Sequence, residues 1–230
     1  MRQNRGFALA AFATAAVAGG VYAVHVARTR RRFGQVQPAA DGEHDDLLDR
    51  FMPVYDIVER HSIRVLAPAE VTFDVARHVE LSSHPAVRAI FLGREFLLGS
   101  PSVKRERPKG LLDDMQTLGW GILAEEPNRE VVLGAATRPW EADVIFRGVP
   151  SDQFARFAEP DYVKIAWTLR ADPLGATESV FRTETRAIAT DPSARDKFRR
   201  YWSLLSPGIV LIRRLTLRMV RSAAERRRSS

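Results

Sequence analysis

The run from Tyr162 to Met219 constrains the fold of this chain more than any other part of it. Between Tyr162 and Ala171 the residues alternate, with Val163, Ile165, Trp167 and Leu169 on one face and Lys164, Thr168 and Arg170 on the other. That period of two is the pattern of a half-buried strand. Asp172-Pro173-Leu174-Gly175 has the residue chemistry of a turn. Ser179 to Thr190 is again extended and rich in β-branched residues, with Phe181, Thr183, Thr185 and Ala187 sharing a face opposite Arg182, Glu184 and Arg186. Asp191-Pro192 then opens a helix, Asp as N-cap and Pro at the first helical position. From there Phe198, Trp202, Leu205, Ile209, Ile212, Thr216 and Met219 recur at spacings of three and four. They form one apolar face about 30 Å long. A helix this long and one-sided needs a broad apolar surface, and the antiparallel strands before it supply one. The predicted class is α+β, an antiparallel sheet wrapped around a long C-terminal helix.

The chain has 230 residues, 45% of them hydrophobic, which suits one good-sized domain with appendages. It has no cysteine, so disulfides, thiol catalysis and thiolate metal sites are excluded. The net charge of +7 sits at the ends. Six Arg and no acid in residues 1–34, and five Arg against Glu225 in residues 218–230, leave −3 on residues 35–217. A nucleic-acid-binding domain carries its positive charge on the fold itself, so nucleic acid is not an expected partner. Arginine-rich ends beside an apolar segment suit an anionic membrane surface.

That apolar segment runs from Gly6 to Ala27 without a charged residue. As a helix it would extend about 33 Å, enough for a bilayer core. Arg2 and Arg5 precede it; Arg28, Arg30, Arg31 and Arg32 follow it and favour a cytoplasmic domain. Val21-Tyr22-Ala23 loosely fits a signal-peptide cleavage pattern, but an Arg cluster directly after the apolar run disfavours export. The expected organisation is an N-terminal transmembrane helix with basic flanks (1–32), an acidic flexible linker (33–50), a domain (51–224) and a basic tail (225–230). The expected location is the cell membrane.

Within the domain, His61 to Leu66 alternates as a strand, followed by a short helix from Ala67-Pro68-Ala69-Glu70. Ser82, Ser83 and Pro85 open a second helix. A hairpin is predicted around Glu126-Pro127-Asn128, a shorter strand over Asp143–Gly148 and a brief helix from Ser151-Asp152. Pro207-Gly208 is expected to bend or break the long helix. The strand–helix junction His61-Ser-Ile-Arg-Val-Leu-Ala-Pro-Ala-Glu, the strand Asp161-Tyr-Val-Lys-Ile-Ala-Trp-Thr-Leu, Thr183-Glu-Thr-Arg and the Arg199-Arg-Tyr-Trp helix carry a family likeness. In this order they resemble the helix-grip (SRPBCC) superfamily of START-related lipid-transfer domains, polyketide cyclases and birch-pollen-allergen-like proteins, over residues 51–224. The resemblance implies an apolar ligand cavity between sheet and helix, and no particular reaction.

No G-x-S-x-G turn, phosphate loop or zinc spacing occurs. His61, on the polar face of its strand, His78 and His84 are read as surface or hydrogen-bonded groups. Glu43-His44-Asp45-Asp46 is read as a solvated spacer, and Arg182, Glu184 and Arg186 as an exposed charge ladder. No catalytic residue, metal ligand or cofactor is assigned. The expected cavity lining is Val163, Ile165, Trp167, Leu169, Phe181, Thr183, Thr185, Trp202, Leu205, Ile209 and Ile212. Three functions remain open: a non-catalytic, membrane-tethered binder of a lipid-like molecule; a cyclase or dehydratase using the same cavity; and an interaction module with a filled core. An interior acid–base pair would favour the second.

Overall fold

Alternation in five segments generates one antiparallel sheet. A computed structural model of the protein describes residues 19–40, 42–99 and 110–228. Its six-stranded sheet consists of β1 (Ile57–Val65), β2 (Gly121–Glu126), β3 (Glu130–Thr137), β4 (Phe146–Arg147), β5 (Val163–Pro173) and β6 (Ser179–Ala189). The main order is β1-β6-β5-β3-β2, with β4 paired to β3. Seven helices accompany it among the described residues: α1 (19–32), α2 (Asp46–Asp49), α3 (Ala69–His78), α4 (Pro85–Leu98), α5 (Leu111–Thr117), α6 (Ser151–Phe154) and α7 (Pro192–Arg228). The strands and long helix predicted from the sequence are all present, whereas α2 and α5 were not foreseen. Entry into α5 depends on Gly110 at φ 119°, where a Cβ would meet His78 Cα at 3.1 Å and Arg77 O at 3.3 Å.

The register fixes which side chains share the inner face. Ile57, Glu59, His61, Ile63 and Val65 of β1 stand opposite Ala187, Thr185, Thr183, Phe181 and Ser179 of β6. Thr185 in turn faces Trp167 of β5, which faces Leu133 of β3. Helix α7 lies over this face. Asp191 caps it, its Oδ1 accepting from the Ala194 amide at 2.9 Å. The helix continues for 37 residues, about 55 Å, through Pro207. The expected break does not occur: proline removes one amide donor there, and packing along the rest of the helix outweighs that loss.

Two apolar clusters hold α7 down, one towards each end. Near its start Phe198 and Trp202 pack with Ile57, Val163 and Ala187. Near its end Leu217, Val220 and Ala224 pack with Val65, Phe73, Trp167, Leu169 and Phe181. Between them, from 205 to 215, only Ser206 is buried.

The outer face of the sheet is covered too. The end of the expected 33–50 linker, together with the first residues of the domain, straps across it instead over residues 43–52, with Leu48 and Met52 packed beside Val132, Ala136, Phe154 and Ala166. Composition alone hides this, because a four-residue helix buries its leucines only against a partner. Beneath the strap Glu184 and Arg186 are buried, so the expected exposed ladder is corrected to an enclosed network. Arg186 bonds Glu184 at 2.7 Å, Asp49 and the Met52 carbonyl, and its guanidinium stacks 4.7 Å over Tyr55.

Helix α1 lies against α7. Tyr22 donates to the Leu204 carbonyl at 2.5 Å, and His25 Nε2 sits 3.3 Å from Ser206 Oγ. Phe33, just beyond α1, meets Phe198 edge to face at 5.7 Å. Among the described residues no helix is long and apolar enough to cross a membrane. Residues 6–18 of the expected span lie outside the described residues; residues 19–27 belong to α1.

Candidate functional site

The polar groups of the inner face converge under the middle of α7. Trp167 of β5 is buried and donates from Nε1 to Thr183 Oγ1 of β6 at 2.5 Å. Thr185, two residues on, is 7% exposed, and its Oγ1 has no hydrogen-bond partner among the described residues. Across from these threonines stand Glu59 and His61 of β1, with His61 Nε2 3.4 Å from Glu59 Oε2. The pair is close enough to interact electrostatically, yet His61 Nε2 is buried without a formal hydrogen bond. From the helix side, Arg213 places its guanidinium 4.2 Å from the centre of the Trp167 ring.

Arg213 is the anomaly. Burial pushes its guanidinium down to about 9, with Glu59 as the opposing influence. An arginine holds its proton at neutral pH, so what stands here is a half-buried cation beside an aromatic face. The Trp167 face offsets part of the cost of burying it. Among the described residues no carboxylate forms an ion pair with Arg213, and no acceptor hydrogen-bonds to it. Its position follows from helical spacing: it lies four residues after Ile209, and three and four before Thr216 and Leu217, which puts it on the sheet-facing side.

The expected cavity residues divide into groups. Val163, Ile165, Trp202 and Ile209 belong to the cluster near the start of α7. Trp167, Leu169 and Phe181 belong to the cluster near its end. Leu205 and Ile212 are half-buried between the two, while Thr183 and Thr185 face the polar group from β6. Glu59, His61 and Arg213 were missed. The strand signal was available, since His61 has the same parity as Ile63 and Val65; placing it on a polar face was an error of parity, and the histidine faces inward. Arg213 gave the spacing signal above, masked by its charge.

The outer face holds a second ionisable group. A shallow cleft of about 20 Å³, room for roughly one water, is lined by Asp45, Arg60, Arg170 and Glu184 among others. Nearby, Glu130 is 2% exposed. Burial, then the charge and hydrogen bond of Asp45, push its carboxyl up to about 9, against the pull of Arg170. His44, Asp46 and Asp49 offer ligand atoms within 4.8 Å of one another, but Asp49 is committed to Arg186, and His44 and Asp46 are exposed.

An antiparallel sheet gripped against one long C-terminal helix, with short helices after its first strand, is a helix-grip arrangement. Solved structures that match the chain in part include a hypothetical protein from Helicobacter pylori, at 10% identity and TM-score 0.40, covering 82% of this chain and 99% of that one. Norcoclaurine synthase from Thalictrum flavum, in complex with dopamine and hydroxybenzaldehyde, matches at 13% identity and TM-score 0.31, over 80% and 98%. A START superfamily protein from Mycobacterium smegmatis matches at 11% identity and TM-score 0.22, over 69% and 98%. No family model and no curated protein matches the chain.

Proposed function

We propose that this chain is a helix-grip domain that binds a hydrophobic or amphipathic small molecule between its sheet and α7, attached to a membrane through the N-terminal part of the uncharged run 6–27. One observation carries the reading. Helix α7 is closed down at both ends, but over residues 205–215 its sheet-facing Ile209, Ile212 and Arg213 stay only half-buried. A filled core would bury them as it buries Phe198 and Leu217. Sites of this kind are mainly apolar with a few placed polar groups, and here those groups are Thr185, His61 and Arg213. The tether rests on the uncharged run and its arginine flanks.

A second reading has its own support. Glu59 and His61 form an acid–base pair on the inner face, the kind of group an enzyme acting on a hydrophobic substrate would use. Titrating the full chain in nanodiscs with an environment-sensitive apolar fluorophore tests the binding reading, with energy transfer from Trp167 and Trp202 as the readout. Saturable transfer is expected, and transfer that only tracks the lipid content of the discs would overturn it.

A further inference from the structure

Three polar groups face one interior region, with Thr185 unpartnered and His61 met only by Glu59 among the described residues. Arg213 offers a guanidinium without an ion-pair or hydrogen-bond partner among the described residues. Thr185 Oγ1 is buried and unpartnered, and so is His61 Nε2, whose neighbour Glu59 lies 3.4 Å away. The register makes them neighbours: Thr185 stands beside Glu59 on one side and Trp167 on the other, and Arg213 covers the Trp167 ring. A buried donor left unpaired is costly, and a half-buried cation without a counter-charge adds to that cost. Packing does not require an arginine here, since a methionine would fill the same space on Trp167 without that cost.

We propose that the occupant of this site is an amphiphile with one anionic oxyacid head, a carboxylate or a phosphate monoester, whose oxygens pair with Arg213 and accept from Thr185. The alkyl or ring portion then runs along Ile209 and Ile212 towards Trp202. An anionic oxygen head is the one complement that meets a guanidinium with two parallel bonds and still accepts from a hydroxyl. A neutral alcohol would leave the cation uncompensated. Glu59 does not substitute for the ligand, because it is beyond ion-pair distance of Arg213 and is engaged with His61. This inference rests on the binding reading above and adds the chemistry of the head group.

The test uses the full chain in membranes and a photoactivatable sixteen-carbon fatty acid, with labelled peptides identified by mass spectrometry. Hexadecanoic acid, hexadecyl phosphate and hexadecanol serve as competitors. At least one acid is expected to suppress labelling of β5 or α7 peptides at about one tenth of the alcohol concentration or less. The order of the two acids then names the head group. Arg213→Met should retain labelling and lose the preference, and Arg213→Lys should keep part of it. Equal competition by acids and alcohol overturns the proposal while leaving the binding reading intact. Absence of saturable labelling by the fatty acid, and by its alcohol counterpart, overturns both. A thermal melt of each variant separates loss of preference from loss of fold.

Discussion

Arg213 and Glu130 are ionisable groups held where their charge is unwelcome, and each predicts a measurable stability effect. Removing the Arg213 charge without a ligand present should stabilise the protein. Arg213→Met keeps contact with Trp167 and removes a half-buried, uncompensated cation, a gain of about 1 kcal/mol or less in a urea melt. A comparable loss instead would mean that the guanidinium has a structural partner. Glu130 acts through pH. Its carboxyl is raised in the folded protein to about 9 from the ordinary 4.5 of a free glutamate, so between those values the folded state holds a proton that the unfolded chain gives up. Stability therefore falls as pH rises through that window, on the order of 1 kcal/mol per pH unit from this group. Glu130→Gln should flatten the slope between pH 6 and 8.5. An unchanged slope would show that the strap residue Asp45 and its neighbours do not hold Glu130 protonated.

At the level of elements, α7 is pinned at its ends and loose at its centre. Phe198→Ala and Trp202→Ala should each cost about 3–5 kcal/mol, since both side chains are buried in the cluster with Ile57 and Val163. Leu205→Ala, in the half-buried middle, should cost less than about 2 kcal/mol. Equal costs would mean that the middle is packed as firmly as the ends. Strands β5 and β6 and helix α7 were legible because each carries its own period, two or three-to-four, over ten residues or more. The strap over residues 43–52 was not: Asp45, Leu47 and Leu48 make sense only beside the outer face, which is assembled from strands far along the chain. The site was half legible for a related reason. The apolar residues announced themselves by period, whereas Glu59, His61 and Arg213 looked like surface until the register gave them an interior.

For the whole molecule, the described N-terminal residues are part of the domain. Tyr22 and His25 of α1 meet Leu204 and Ser206 of α7, and Phe33 packs on Phe198, so the chain from 19 onward is integrated with the domain. Deleting residues 1–18 should release the protein from membranes with little change in thermal midpoint. Deleting residues 1–34 should release it as well but lower the midpoint by several degrees, because Phe198 and Ser206 lose their cover. Equal midpoints for the two truncations would show that α1 and Phe33 contribute nothing to the fold. The central claim, a ligand held between the sheet and the middle of α7, is tested most directly by native mass spectrometry of the full chain ejected from membrane vesicles. The account predicts a one-to-one adduct with an acidic amphiphile in wild type, and in Arg213→Met an adduct without bias towards acidic head groups; a bare protein mass from wild type under conditions that preserve known lipid adducts would contradict it.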